Sequence, residues 1–394
     1  MGIPMPPVRH FYRIGAAPHV VGVLDPCYSS SHVIYGIDGV KYIHQTLKSA
    51  PFGKMEGERT FFKFTPFILD AAVDLVHTWN AIPFNKNFVV SFELEIPRYF
   101  PRPTPRQARI AMRLLQSARC KKILALSEFA FRSGAKRMKH YGFPELVDKM
   151  QVFRGAVRDP LLLGDLPPRP GGEVFSDEPL TAVLIGSSLF RKGAMYSILA
   201  FEKLRKAGLN VRLTLIGDFE EITYPFGEFS PKAAEWTARA KSHEWIEFKG
   251  PIPNREVFKE LRKHHICLYP SLDESLGWLV IEAQMLGVPV CGNRVCAFPE
   301  LVEHMHTGWL TELPVAESER WEGIDAPRDV LREAIPRAEA LVTQGIMDCV
   351  TLLYNNPGLI VQWGAAARER AISMYGEEKA AEQLDAIYDE ALGR

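Results

Sequence analysis

The chain has 394 residues, of which 47% are hydrophobic and 24% charged, and its 47 basic side chains balance its 47 acidic ones. This length exceeds what one hydrophobic core organises, so we expect two globular domains rather than a fibrous or disordered chain. No apolar run reaches the roughly 18 residues that cross a bilayer, and the first residues lack the apolar core of a signal peptide. The six cysteines form no CxxC pair and no metal-like spacing with histidine, so a reducing cytoplasm is the simplest location.

Strands and helices alternate through the first half of the chain. We predict strands at residues 19–24, 73–77, 88–92, 123–126 and 150–153, and a helix at 38–47. Two further helices are predicted to begin at Thr104-Pro105 and at Ser127, because Thr and Ser cap helices and Pro suits a first turn. This alternation predicts a parallel sheet with helices on both faces.

The stretch from Arg98 to Arg154 is strongly basic. It holds fourteen Lys and Arg residues against three acids, a local charge of about +11 that the rest of the chain must offset. The interpretation we favour is peripheral contact with an anionic membrane. An anionic glycan or sugar-phosphate acceptor and a merely solvated basic face are the alternatives. Nucleic acid is not expected, because no recognised binding motif accompanies the charge.

Residues 161–179 interrupt the alternation with several Pro and Gly residues and no periodicity. We interpret them as a linker between an N-terminal domain at residues 1–160 and a C-terminal domain at 180–375. The second half restarts with predicted strands at 182–185, 211–216, 246–248, 266–269, 288–291 and 307–310. Helices are predicted at 194–207, 255–264 and 278–286, and the chain is mostly helical after residue 317, ending in a helix at 379–392.

The central feature of the second half is the sequence ICLYPSLDESLGWLVIEAQMLGVPVCG at residues 266–292. It predicts a strand, a loop, a helix and a second strand. A loop that enters a helix at the carboxyl end of a parallel strand binds anions through unbonded N–H groups. Glu274 in the loop and Glu282 in the helix can face the same ligand. The pattern suits a neutral, polyhydroxylated ligand that carries a phosphate.

Glu274, Gly277, Glu282 and the following GVPV resemble the E-x7-E signature of family-4 retaining glycosyltransferases. The resemblance implies the α/β fold called GT-B, in which two Rossmann-like domains face each other across a cleft. It also implies that the last helix, at about residues 376–394, crosses back to the N-terminal domain. The expected activity is transfer of a sugar from a nucleoside-diphosphate sugar to a glycan or lipid-linked acceptor, without a metal or other cofactor. With the basic tract, this suggests cell-surface polysaccharide or glycolipid assembly at the inner face of the membrane.

The same resemblance assigns the residues that bind the sugar donor. Glu274 would contact the hydroxyls of the transferred sugar and Glu282 those of the ribose. Lys192 matches the family's diphosphate-binding lysine, whereas Ser187 stands where the family has an arginine, and Arg191 would supply the missing charge.

Backbone groups are expected to complete the donor site. The resemblance assigns diphosphate binding to the N–H groups of Ser275, Leu276 and Gly277. It places the nucleobase near Gly250, Pro251 and Ile252.

Two residues of the N-terminal half are further candidates for the catalytic site. Glu93 stands where the family often has a histidine; it is either a sugar-binding group or base, or an ordinary glutamate at a strand end. His77 is either a residue of the cleft or a core histidine with satisfied hydrogen bonds. Because Ser187, Glu93 and Arg154 depart from the family pattern, a nucleotide-sugar-binding protein without turnover remains an alternative. A nucleotide-sugar epimerase on the same scaffold is the other, although the two glutamates argue against it.

Overall fold

The computed structural model describes residues 20–23, 31–48, 66–69, 73–96, 104–171, 175, 178–221 and 224–394. The chain divides into two compact units. The first comprises residues up to 126 together with 130–156 and 377–394, and the second comprises 127–129 and 157–376. Within the described residues, no helix is long and apolar enough to cross a membrane.

The first unit is built on a six-stranded sheet with the order β2-β1-β3-β4-β5-β6. All of its described pairings are parallel. The strands are β1 (Val20–Val23), β2 (Ile43–Thr46), β3 (Leu75–Trp79), β4 (Phe88–Phe92), β5 (Cys120–Ala125) and β6 (Met150–Val152). Its helices are α1 (Pro105–Gln116), most of α2 (Glu128–His140) and, from the end of the chain, α10 (Glu377–Leu392).

The two ends of helix α1 are determined by local side-chain contacts. Thr104 and Gln107 cap the helix reciprocally, with the Gln107 N–H donating to Thr104 Oγ1 and the Thr104 N–H donating to Gln107 Oε1. At the other end, Lys149 Nζ donates to four carbonyl oxygens at 2.9–3.1 Å, three of them in residues 115–117 and one in Cys120. One face of α1 packs into the core and the opposite face carries exposed arginines. The predicted start of this helix is therefore correct.

The helix predicted at residues 38–47 is wrong. Residues 43–46 form the strand β2, which pairs in parallel with β1. Gly39 has a left-handed conformation (φ +91°), which is incompatible with a right-handed helix that begins at residue 38. The β-branched residues that follow favour a strand once a partner strand is available. The strand predicted at 19–24 is present as Val20–Val23, and its predicted end residues lie outside the described residues.

Helix α10 completes the first unit, although it is the last helix of the chain. The Lys41 N–H donates to Asp385 Oδ1 at 2.8 Å, and the Tyr388 hydroxyl lies 2.8 Å from Nδ1 of His77. Tyr388 and Leu384 are fully buried. The prediction that the last helix returns to the N-terminal domain is confirmed.

The second unit contains another parallel six-stranded sheet, with the order β12-β11-β10-β7-β8-β9. Its strands are β7 (Leu180–Ile185), β8 (Val211–Ile216), β9 (Ile246–Lys249), β10 (Ile266–Tyr269), β11 (Val290–Asn293) and β12 (Gly308–Thr311). Its helices are α3 (Ala194–Lys206), α4 (Ala233–Lys241), α5 (Asn254–Arg262), α6 (Trp278–Met285), α7 (Phe298–Leu301), α8 (Arg328–Asn355) and α9 (Gly358–Tyr375). Strand β10 lies inside the sheet and all four of its residues are buried, as expected for a strand covered on both faces.

The segment predicted as a linker is fixed to the second unit over its described part. Just before it, Asp159 forms an ion pair with Arg368 through two contacts of 2.6 and 3.0 Å. Arg262 Nε donates to the carbonyl oxygen of Pro167 at 3.0 Å, and Arg169 donates to that of Gly287. Residues 172–174 and 176–177 of the predicted linker lie outside the described residues.

Candidate active site

The candidate site lies at the carboxyl end of β10, where the chain passes through residues 270–277 into α6. The predicted strand and helix are present at Ile266–Tyr269 and Trp278–Met285. Gly277, the residue before α6, has a left-handed conformation (φ +92°). A Cβ there would lie 3.0 Å from the ring of Phe298. A side chain at this position would therefore be strained and crowded. The N–H groups of the first turn of α6 point toward the loop, as in anion-binding helix termini.

The carboxylate of Glu274 is the centre of a cluster of polar side chains in this loop. Lys192 Nζ forms a direct ion pair with Glu274 Oε2 and also hydrogen-bonds the hydroxyl of Tyr269. The Tyr269 hydroxyl lies 3.1 Å from the same carboxylate oxygen, and Arg191 Nη2 lies 3.8 Å from it. The Lys192 and Glu274 side chains are only 11% and 13% exposed. The structure thus brings the predicted sugar-binding carboxylate and the two predicted diphosphate-binding cations together.

Tyr269, the last residue of β10, was not among the predicted site residues. Its ring is buried, and Lys192 Nζ lies 4.5 Å from the ring centroid, within the range of a cation–π contact. Burial and the nearby carboxylate of Glu274 raise the pKa of Tyr269 well above its usual value. The hydroxyl therefore remains protonated at neutral pH and acts as a hydrogen-bond donor. Its place at a strand end, directly before Pro270, is the sequence signal that could have identified it.

Two glycines let the turn that carries Lys192 approach the loop closely. A Cβ on Gly186 would lie 2.5 Å from Cγ of Lys192, so the lysine side chain passes directly over this glycine. Gly193 has φ +80°, and a Cβ there would lie 2.4 Å from the carbonyl oxygen of Pro270. The turn after β7 and the loop after β10 are thus in backbone contact.

Side-chain hydrogen bonds hold the loop from both neighbouring strands. Ser271 Oγ lies 2.8 Å from the carbonyl oxygen of Arg191 and 3.0 Å from that of Asp273. Asn293, at the end of β11, donates from Nδ2 to the carbonyl oxygen of Ser271 at 3.1 Å. Ser188 Oγ and Arg191 Nε are buried and have no hydrogen-bond partner among the described residues. These two groups can therefore donate hydrogen bonds to an anion bound at the turn.

Glu282 lies in the second turn of α6 and is 4% exposed, so the predicted ribose-binding carboxylate is a buried one. Of the predicted N–H donors, Ser275 is half-buried and Leu276 is buried. The predicted nucleobase region, residues 250–252, forms the loop between β9 and α5. Gly250 and Pro251 are exposed and Ile252 is half-buried. This loop shares the carboxyl-terminal edge of the sheet with Glu274, but β9 is three strands away from β10.

His77 is not placed as a catalytic residue would be. It lies in β3 of the first unit with no exposed surface, and its two ring nitrogens are 2.8 Å from the Tyr388 hydroxyl and 2.8 Å from Ser91 Oγ. Burial, with a contribution from His44, lowers the pKa of His77 to about 3. A neutral histidine with both nitrogens occupied by core partners is a structural group, and the prediction of a catalytic His77 is corrected accordingly. Glu93 directly follows β4 and is half-buried.

Among the described residues, no group of three or more His, Cys, Asp or Glu side chains is arranged to hold a metal ion. The cluster around Glu274 contains two cations and one carboxylate. Such a cluster is suited to a phosphate with adjacent hydroxyls.

Comparison with known proteins shows what parts of the chain are similar to. The sequence profile of the family described as "Glycosyl transferases group 1" matches residues 180–320. The N-acetyl-alpha-D-glucosaminyl L-malate synthase of Bacillus anthracis is 26% identical over 212 residues, which are 53% of this chain and 46% of that protein. The amylovoran biosynthesis glycosyltransferase AmsK of Erwinia amylovora is 26% identical over 139 residues, 34% of this chain and 32% of that protein. The matches thus span less than half the length of these curated relatives.

A solved structure extends the comparison to nearly the whole chain. Anabaena HepE, determined in complex with UDP and glucose, superposes with a TM-score of 0.59 at 12% identity and covers 94% of this chain and 99% of that one. Two parallel α/β units with a site at the carboxyl edge of the second sheet define the GT-B fold. Residues 180–320 are similar to group 1 glycosyltransferases, and the predicted resemblance to GT-B glycosyltransferases of the family-4 type is confirmed.

Proposed function

We propose that this protein is a retaining glycosyltransferase that moves a sugar from a nucleoside-diphosphate sugar to a glycan or lipid-linked acceptor. The observation that carries the proposal is the cluster of Lys192, Arg191 and Glu274 beside the N-terminus of α6, inside the group 1 domain. Cations and N–H groups suit the diphosphate, and a carboxylate suits sugar hydroxyls.

Departure of the nucleoside diphosphate places negative charge on the leaving phosphate. Lys192 and the first turn of α6 would stabilise that charge, with Arg191 replacing the arginine that the family has at position 187. Without a donor, Lys192 is paired with Glu274. When the donor binds, the Lys192 ammonium group contacts the phosphate in place of the carboxylate. Glu274 can then accept hydrogen bonds from the sugar.

We propose that the transferred sugar keeps its anomeric configuration through the front-face attack used to describe the family. In that scheme the leaving phosphate oxygen takes the proton of the acceptor. This scheme does not require two carboxylates at the spacing of a glycosidase. It also requires no histidine base, which agrees with His77 being a core residue. Glu93 stays a candidate for binding the transferred sugar or acceptor.

We propose an acceptor in cell-surface polysaccharide or glycolipid assembly, reached at the inner face of the membrane. The name of AmsK, with its role in amylovoran biosynthesis, supports a polysaccharide product. Arg106, Arg109 and Arg113 are exposed on one face of α1, and such a face attracts anionic lipid. Lys149 of the same tract is engaged in capping α1 instead.

Thermal stability against UDP, GDP, ADP, CMP and their sugars tests the donor site. A nucleotide at 100 times its dissociation constant stabilises a protein by about 2.7 kcal/mol, which gives a readable rise in melting temperature. We expect one diphosphate to stabilise the wild type and Glu282→Gln to lose most of that gain. Glu260→Gln is the matched control, since Glu260 of α5 is also buried but pairs with Lys249 at the end of β9 and with Lys263 just after α5.

A melt that no nucleotide shifts would refute the proposed donor site. Turnover with the stabilising donor separates the alternatives. Transfer to an acceptor with the α or β configuration of the donor kept supports a retaining transferase, and inversion contradicts it. Conversion of the donor into its epimer without an acceptor identifies an epimerase, and binding without turnover identifies a binding protein.

A further inference from the structure

Asp273, the residue before Glu274, is held by a dense set of contacts that the donor site itself does not explain. Arg320 grips its carboxylate with two parallel hydrogen bonds, Nε to Oδ1 at 2.7 Å and Nη2 to Oδ2 at 2.7 Å. The Tyr224 hydroxyl donates to Oδ2, and the Cys296 thiol lies 3.4 Å from Oδ1. The Asp273 side chain is 9% exposed and that of Arg320 is 14% exposed. Two successive acids therefore have separate cationic partners, Asp273 with Arg320 and Glu274 with Lys192.

Arg320 is itself firmly anchored. The next residue, Trp321, is fully buried in the core of the second unit. An isolated β-bridge joins Trp321 to Val315, and the Cys296 N–H donates to the carbonyl oxygen of Glu319 at 2.8 Å. The guanidinium group is thus fixed on a rigid support outside the loop that carries Glu274.

The contacts of Asp273 join three separate segments of the second unit. Tyr224 follows β8, Asp273 follows β10, and Arg320 follows β12. Arg320 Nη2 also donates to the Tyr224 hydroxyl at 2.8 Å, which closes a triangle of three polar groups. Burial acts to raise the pKa of Asp273, but the hydrogen bonds and charge of Arg320 outweigh it and lower the pKa below its usual value. The carboxylate therefore stays ionised and the contacts persist through the neutral pH range.

We propose that Asp273 and Arg320 are positioning residues for the donor sugar. Their ion pair fixes the loop at the residue next to Glu274, so that the Glu274 carboxylate is held at the hydroxyls of the transferred sugar. A group that binds a ligand with directional hydrogen bonds works only when its support is rigid. The inference rests on the proposed function, because it assigns Glu274 to the sugar of a nucleotide sugar.

Arg320→Lys tests this proposal, because lysine keeps the charge but cannot form the bidentate hydrogen bonds to Asp273. The whole chain is titrated calorimetrically with matched pairs of ligands: UDP and UDP-glucose, GDP and GDP-mannose, ADP and ADP-glucose. For the pair that the wild type binds, we expect the dissociation constant of the nucleotide sugar to rise about tenfold, the effect of one well-placed hydrogen bond. The diphosphate alone carries no sugar for Glu274 to contact, so its constant should change by less than about threefold.

Arg239→Lys is the matched control. Arg239 of α4 binds Glu202 of α3 with the same bidentate geometry, at 2.7 and 2.6 Å. Its replacement should change the dissociation constant of neither the nucleotide sugar nor the diphosphate. Asp273→Asn is the second variant if the first fails to fold, as judged by its melting temperature, and the same selective loss is expected. Equal losses for sugar and diphosphate, or no loss in either variant, would overturn the positioning role. Failure of the wild type to bind any member of the three pairs would overturn the proposed function, and the inference with it.

Discussion

Lys192 and Glu274 are direct ion-pair partners, although 82 positions separate them in the chain. The pair joins the turn after β7 to the loop after β10, the two segments that the donor site requires. Because both side chains are mostly buried, neither charge is well solvated if the other is removed.

We therefore expect Lys192→Met to lower both stability and activity. The free energy of unfolding should fall by about 3 kcal/mol, because Arg191 at 3.8 Å replaces the lysine only weakly. Transfer should fall on the order of 100-fold, as when a donor to a developing negative charge is lost. Urea unfolding and donor turnover measure the two effects. Lys263→Met is the control, since Lys263 pairs with Glu260 at 2.7 Å but is 51% exposed, and it should cost less than about 1 kcal/mol.

Tyr269→Phe removes one hydroxyl that contacts both members of this ion pair. We expect a loss of about 1–2 kcal/mol in the free energy of unfolding and about tenfold weaker binding of the nucleotide sugar. Tyr354→Phe is the matched control, since its hydroxyl donates to the carbonyl oxygen of Phe175 at 3.0 Å away from the loop. The control should lose stability alone. Equal effects of both variants on ligand binding would contradict the assignment of Tyr269 to the site.

His77 should make the stability of the first unit depend on pH. Its pKa is about 3 in the folded protein because of burial, against about 6.5 in the unfolded chain. Below pH 6.5 the unfolded chain therefore binds a proton that the folded protein does not. Stability should fall as pH drops from 6.5 toward 3, at up to about 1.4 kcal/mol per pH unit for this one group.

Urea unfolding of His77→Asn at pH 7.5, 6.0 and 5.0 checks this dependence. The variant should be less stable at pH 7.5, but its stability should fall less steeply with pH than that of the wild type. His140→Asn, at the exposed end of α2, should keep the slope of the wild type. If His77→Asn also keeps that slope, the buried neutral state of His77 is refuted.

The basic face of α1 predicts binding to anionic vesicles. Replacing Arg106, Arg109 and Arg113 together by Gln should weaken sedimentation with phosphatidylserine vesicles on the order of 100-fold, at about 1 kcal/mol for each charge. A control triple, Lys232, Lys241 and Arg255 to Gln, removes the same charge from exposed positions of the second unit and should change binding little. If both triple variants bound the vesicles equally weakly, the attraction would be general and not specific to α1. If the α1 variant bound as well as the wild type, the basic face of α1 would be a solvated surface without a membrane role.

The sequence predicted most of the second unit because its signals are local. Residues 266–292 carry a buried apolar strand, Gly277 before the helix and Gly287 after it, and each of these appears in the structure. The resemblance to family-4 glycosyltransferases assigned Lys192 and Glu274 to one site. They meet in the structure because the carboxyl ends of parallel strands lie at one edge of a sheet.

What the sequence could not show depends on contacts between distant residues. Residues 43–46, inside the predicted helix at 38–47, form a strand because β1 is available as a partner, and no local signal reveals a partner strand. His77 is a core residue because Tyr388 covers it from 311 positions away. Arg320 lies in a polar stretch with no motif, and only the folded chain brings it to Asp273.

The membership of α10 in the first unit has a consequence for synthesis on the ribosome. Residues 157–376 are continuous in the chain and can complete their fold as soon as they emerge. The N-terminal sheet leaves the ribosome earlier but must wait for residues 377–392 to cover His77 and the core around it. Domains of most multidomain chains fold in the order of their synthesis, whereas here the half made first should be the last to finish.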